Sequence, residues 1–311
     1  MSATRTRIVR AVVGILATTL VFSASTATAA EGDDSRLFYQ NLTVIRYNPL
    51  GLQNQFMIDY RLKMYDPGDS VLLKNNYVGL TAVPILTPAG TRLGLGFKIR
   101  PLNIFKLEVK WEFLNFWGNF DLLQSFEDPN ADFSDSTIKD RGEADLNYAS
   151  EGWQLTIDAE LRAKIGPVIV RSRFKAMYVD MALQGSDTVW YDQYYDMLLP
   201  AEGWFYTNDA DILYQATPEL IIGLRHTMAI VSYPDEAFAV GQSRSTDSTP
   251  SHRLGPIVAY TFYNRPEESF NKPTILLLVN WYLEHRWRTG EDVDQAIPYV
   301  VLGFAFSGDL L

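Results

Sequence analysis

Arg171, Arg173 and Lys175 occupy every second position of one short segment, and Arg162 and Lys164 keep the same rhythm just before it. Alternate side chains of a β-strand share a face. This spacing would therefore stack five cations on one side of two neighbouring strands. Arg100 and Arg286 fall in the same phase of two other alternating segments. Such a set does electrostatic work rather than bond making: rows of arginine and lysine facing a wet space attract anions. Glu108, Glu112, Asp158 and Glu160 share that phase nearby, so lateral pairing across strands competes for the same cations. Over all the alternating segments, fifteen basic and eight acidic residues take this phase. Pairing therefore leaves a basic surplus.

Candidates for covalent chemistry are sparse. The histidines are His226, His252 and His285. Alternation puts His226 and His285 on an apolar face, and His252 falls in a connecting segment beside Ser251. Two residues away on the same face, His226 meets Leu224 and Met228, and His285 meets Leu283 and Trp287. No serine sits within local reach of either base, and no catalytic set is expected. The absence of cysteine closes disulfide and thiolate-metal chemistry. Metal-ligand spacings and phosphate-cradling glycine patterns are also absent. The acidic stretch 128–140 offers oxygen ligands for weak Ca²⁺ binding, but it lacks the calcium-loop spacing of Gly and Glu. Its ordinary reading is a solvated loop, and no resident cofactor is expected.

The elements that position these residues are legible from period-two alternation. In 104–113, Phe105, Leu107, Val109, Trp111 and Phe113 oppose Lys106, Glu108, Lys110 and Glu112. The pattern recurs in twelve segments: 37–47, 52–65, 76–87, 91–100, 104–117, 153–165, 168–181, 204–216, 220–233, 253–263, 274–288 and 298–308. The first, third and tenth are weak, so ten to fourteen strands are possible. Connections carrying Pro67-Gly68, Pro101, Gly166-Pro167, Pro218 and Pro266 to Pro273 alternate with longer ones at 118–152, 182–203, 234–252 and 289–297. The segment 118–152 is strongly acidic and is read as either a solvated loop or an inward plug. Trp117, Trp153, Trp204 and Trp287 fall at strand ends on the long-loop side, and Tyr65 and Tyr77 at the other rim.

Residues 1–29 read as a secretory signal peptide: Arg5, Arg7 and Arg10, a short apolar run, and Ala27-Thr28-Ala29 before the cleavage point. Residues 30–311 then form one domain. The whole chain carries a formal charge of −10, and without the three leader arginines the balance is −13. That excludes nucleic acid as a partner. Elsewhere no apolar run approaches the length of a spanning helix.

Export signal, alternating strands, unequal connections and the C-terminal series Val300, Leu302, Phe304, Phe306 together resemble the Gram-negative outer-membrane β-barrel class. The chain departs from that class by closing on Ser307-Gly308-Asp309-Leu310-Leu311 instead of a terminal phenylalanine. The resemblance covers nearly all of the mature length and is one of architecture. It implies an all-β transmembrane antiparallel barrel of about twelve strands in the cell outer membrane, with short periplasmic turns and long acidic outer loops. It also implies outer-membrane lipid, lipopolysaccharide and the barrel-assembly machinery as partners. By lumen character alone, the chain is similar to narrow, basic-lined porins for acidic oligosaccharides. The expected function is a passive, anion-preferring pore for small acidic solutes. The alternatives are a closed barrel with a charge-paired, plugged lumen and a structural or surface-interaction role, or a lipid-modifying enzyme.

Overall fold

A computed structural model of the chain is described for residues 35–238, 241, 250–266, 268–289 and 297–310. The expected signal peptide lies outside these residues. The strands are β1 (Ser35–Tyr47), β2 (Gly51–Leu62), β3 (Tyr77–Thr87), β4 (Gly90–Leu102), β5 (Phe105–Trp117), β6 (Ser125–Phe126), β7 (Ala149–Ile165) and β8 (Val168–Met181). They continue with β9 (Val189–Asp192), β10 (Met197–Pro200), β11 (Glu202–Gln215), β12 (Leu220–Ser232), β13 (Ser251–Thr261), β14 (Asn271–Glu284) and β15 (Tyr299–Asp309). One α-helix, α1 (Asp135–Glu143), lies between β6 and β7.

Twelve strands close into an antiparallel barrel in the order β1-β15-β14-β13-β12-β11-β8-β7-β5-β4-β3-β2. The seam joins β1 to β15, with Phe38 opposite Asp309 and Tyr47 opposite Val300. All twelve expected strands are present. Closure removes every sheet edge, which is the condition for strands to cross a lipid bilayer.

The barrel wears its apolar face outward. Leu95 is 65% exposed, Ile212 64% and Trp111 49%, while inward-facing Asp59 and Asp211 are each 1% exposed. Leu80, Phe97, Val109, Phe174, Leu224, Ile275 and Leu302 extend the outward apolar band round the wall. Its strands, from 11 residues in β3 to 17 in β7, reach or exceed the length of about 9–11 residues that a tilted strand needs to span the hydrocarbon. No described helix is long and apolar enough to cross a membrane. On the outward surface, Trp153, Tyr178, Trp204 and Tyr206 follow one another at centroid distances of 5.5, 5.3 and 6.4 Å, as an interfacial aromatic belt would.

The rim bearing the connections 118–148, 182–201, 233–250 and 285–298 is called the outer rim here. At the opposite, inner rim, β4–β5 and β7–β8 are joined by two residues each, Asn103-Ile104 and Gly166-Pro167. The β2–β3 connection at that rim is longer than expected, because β2 stops at Leu62. Asn76 organises it: its side chain accepts from the Met64 and Tyr65 amides and donates to the Tyr65 and Leu73 carbonyls.

Candidate functional site: a charged lumen beneath a folded-in hairpin

Residues 118–148 and 182–201 fold into the outer mouth. A small sheet of order β10-β9-β6 forms there, with Ser125 opposite Trp190 and Leu199 opposite Trp190 on the other side. Trp190, Leu123, Leu198 and Leu199 are shut off from solvent against Leu114, Met177, Val179, Phe205 and Val231, which project inward from the wall. The turn between β9 and β10 reaches all round the bore. Asp192 takes an ion pair from Arg92 on β4 at 2.8 Å. The Tyr195 hydroxyl lies 3.1 Å from Met177 Sδ on β8. Arg46 on β1 lies 4.9 Å over the Tyr194 ring, and Gln193 donates to the Leu50 carbonyl at 2.6 Å.

Asp196 fixes the end of this hairpin. Its carboxylate accepts from the Tyr191 hydroxyl at 2.8 Å and from Arg288 Nε at 2.8 Å, and the Tyr282 hydroxyl lies 3.1 Å away. His285 Nε2 donates to the Asp196 carbonyl at 2.7 Å, while His285 Nδ1 accepts from the Trp287 amide at 3.1 Å. Both ring nitrogens are thus used in the neutral imidazole. Arg288 also binds Asp135 of α1 and the Asn48 side chain. Burial works against the ionised Asp196, but the His285 imidazole and Arg288 guanidinium outweigh it and hold the carboxyl well below the usual range. Burial pushes His285 down, against the opposing pull of Asp196. Burial pushes the Tyr191 phenol well up, and Asp196 adds to that.

Below the hairpin, the expected ladder is present. Arg171, Arg173 and Lys175 point inward from β8, and Arg162 on β7 lies opposite Arg171. Each cation has a different fate. Arg171 donates to Asp211 at 2.7 Å, and Arg225 reaches the same carboxylate at 2.7 Å. Arg173 grips Asp158 at 2.9 and 3.0 Å. Arg162 binds the Asn103 carbonyl and side chain at 3.0 and 2.9 Å. Lys164 reaches Gln215 at 2.5 Å. Arg100 lies 5.5 Å from the Tyr77 ring centroid, and its Nε has no hydrogen-bond partner among the described residues. Lys175 has no carboxylate within ion-pair distance among them.

Further round the wall, Lys98 pairs with Asp59 at 2.8 Å and Glu108 at 3.6 Å, Arg61 with Asp59 at 2.6 Å, and Lys110 with Glu112 at 3.0 Å. Lateral pairing therefore absorbs much of the wall charge. The ladder still meets water: the Arg171 and Arg173 side chains are 31% and 37% exposed.

Several expected positions are corrected. The eleventh strand ends at Glu284, not at residue 288. A turn closes immediately, with the Thr289 amide bonding the His285 carbonyl at 3.0 Å. Arg286 is therefore no wall residue. It donates to the Asn130 carbonyl at 2.7 Å and lies 4.7 Å over the Trp287 ring. His285 faces the plug and not lipid, and Trp287 packs edge-on against Phe133 at 6.0 Å instead of joining the aromatic belt. Tyr77 turns inward beneath Arg61. His252 belongs to β13 and not to a connection. It stacks on His226 at 5.2 Å, with Nδ1 3.0 Å from His226 Nε2.

In the acidic stretch, Asp128 and Asp132 accept from the Asn130 and Ser134 amides at 2.7 and 2.8 Å. Among the described residues no group of three His, Asp or Glu side chains is placed to hold a metal ion. Asp192, Asp196, Arg46 and Arg253 were not singled out by the sequence reading. A signal existed for the hairpin: the apolar runs Val189-Trp190-Tyr191 and Met197-Leu198-Leu199 flank a polar turn inside a supposed loop.

No family model matches the chain, and no curated protein matches it in sequence. Likeness to solved structures is weak. The NanC porin shares 7% identity, with 86% of this chain and 98% of that chain covered at a TM-score of 0.37. An outer membrane channel from Pseudomonas putida F1 shares 13%, with 88% and 94% covered at 0.38. The outer membrane protein Omp33 of Acinetobacter baumannii shares 11%, with 88% and 98% covered at 0.36. The functional reading rests on the barrel's own geometry.

Proposed function

We propose that the protein is an outer-membrane barrel acting as a passive, anion-preferring pore for small acidic solutes, with the β9–β10 hairpin restricting its outer mouth. The observation that carries this reading is the inward ladder of Arg171, Arg173 and Lys175, in which Arg171 and Arg173 meet solvent and Lys175 has no paired carboxylate among the described residues. A wet, net-basic wall lowers the energy of an anion and raises that of a cation. Outer-membrane lipid and lipopolysaccharide would surround the apolar band, and the barrel-assembly machinery would insert the chain.

The test is single-channel recording from the refolded mature chain under a salt gradient. Steady conductance with an anion-side reversal potential is the expected result, and a cation-side potential would overturn the preference. A second reading, a closed barrel with a structural or surface role, is favoured by the complete burial of Trp190 and Leu199 in the mouth. Verified folded barrel that never conducts, even with 189–200 replaced by a short glycine-serine turn, would favour that reading.

A further inference from the structure

Arg253 departs from the pattern of the lumen wall. It projects inward from β13 and is only 8% exposed, yet no carboxylate among the described residues lies within ion-pair distance. Its guanidinium lies 4.1 Å over the Tyr299 ring and 5.6 Å from the Tyr282 ring. Stacking covers the faces of a guanidinium and leaves its edge, the side that makes paired bonds to a carboxylate. Nη1 on that edge is buried and donates to nothing among the described residues.

Asn280, on the neighbouring β14, has the same inward facing. It is wholly buried, and neither its Nδ2 nor its Oδ1 has a partner among the described residues. Buried polar groups are as a rule bonded, so two such residues on adjacent strands call for a common explanation. Gly255 lies between Arg225 and Asn280 in the wall, opposite Arg225, and β14 passes so close that a Cβ on it would collide with the Val279 carbonyl oxygen and lie 2.9 Å from Asn280 Cα. Glycine is what lets the two strands approach here. Tyr299 completes the row, opposite Asn280 on β15.

We infer that Arg253, Asn280 and Tyr299, on three adjacent strands, form a binding site for a small organic carboxylate bearing an adjacent hydroxyl. The guanidinium edge takes the carboxylate, and the Asn280 amide, able both to donate and to accept, takes the hydroxyl. Tyr299 holds the guanidinium plane in place. The site rests on the proposed channel for its ligand's route, not for binding itself.

The test is isothermal titration of the refolded full-length barrel in detergent with three probes: lactate, propionate and lactamide. Lactate should bind saturably, propionate about tenfold more weakly through loss of the Asn280 contact, and lactamide not measurably. Arg253→Gln should abolish lactate binding, and Arg253→Lys should weaken it by keeping charge without the paired edge. Asn280→Leu, which replaces an unpaired amide with an apolar group of similar volume, should keep the barrel folded and erase the lactate-over-propionate preference. Absence of lactate binding by folded wild-type barrel, or equal binding by Arg253→Gln, would overturn the site. Calorimetry needs no ion flow. A non-conducting barrel that binds lactate would sink the channel reading alone, and a conducting barrel that binds none would sink the site alone.

Discussion

Arg288 Nε meets Asp196 Oδ2 at 2.8 Å, although the two residues lie 92 positions apart and belong to different outer connections. The bond pins the hairpin to the end of β14 inside the barrel mouth. Both groups are nearly fully buried, at 4% and 1% side-chain exposure. Removing the Asp196 carboxylate leaves buried Arg288 with Asp135 as its remaining partner, so the cost falls below the about 3–5 kcal/mol of a fully stranded buried charge. Asp196→Asn should therefore release the hairpin while the barrel stays closed. Limited proteolysis of refolded protein should cut within 189–200, and bilayer conductance should rise. Protection equal to wild type would remove Asp196 as the pin.

Acid should loosen the same contact in two stages. His285 is held below its ordinary value, so release of the hairpin takes up a proton. Its contribution is complete above about pH 6.5, the usual imidazole range, and is lost as pH falls. Protonation at Nδ1 also sets an N–H against the Trp287 amide that it now accepts. Asp196 is depressed as well; its contribution is present above the usual aspartate range of about 3.9 and is lost at lower pH. The charged groups facing His285 are Asp196 from the hairpin, Arg288 from its own turn and Arg253 from β13. Protease access to 189–200 should rise between pH 7 and 5. In His285→Gln the pH 7-to-5 step should vanish.

The outward facing of the wall predicts a lipid-face penalty. Val109 lies mid-strand and is 38% exposed on the apolar side. Val109→Arg should destabilise the barrel by about 2–4 kcal/mol in lipid, read as a lower urea midpoint for loss of heat-modifiable mobility. An unaltered midpoint would reverse the assignment of faces.

Selectivity can be probed without stranding an acid. Replacing Arg171, Arg173 and Lys175 together with Gln should shift the reversal potential toward cations. It also strips Asp158 of its Arg173 partner, whereas Asp211 keeps Arg225. Lys175→Gln alone removes a cation with no carboxylate in ion-pair reach among the described residues, and it should move the potential in the same direction by a smaller step. A conducting barrel whose potential ignores both variants would exclude β8 as the selective wall.

The barrel was legible because its two faces meet different solvents. In β5 and β7 every residue is either lipid-facing or lumen-facing, and period two records that directly. The same logic misplaced the end of β14. Leu283, His285 and Trp287 continue the alternation, but His285 is buried and Trp287 half-buried against the plug, not against lipid. Alternation reports partition between environments, and a tight turn packed on one side can mimic a strand. The wall cations were recognised as a set, while their partners were not: Arg171 meets Asp211 only because β8 and β11 become neighbours across a connection of twenty residues. The hairpin escaped for a similar reason. Its apolar residues are satisfied in part by residues distant in sequence, among them Leu114 and Val231.

The hairpin has a bearing on how the molecule is put together. It is gripped by Arg46 near the start of the described chain and by Arg288 near its end, and these two regions come together only when β1 zips to β15. The full set of latches on the hairpin therefore exists only in a closed ring. An assembly intermediate whose seam is still open carries an unlatched mouth.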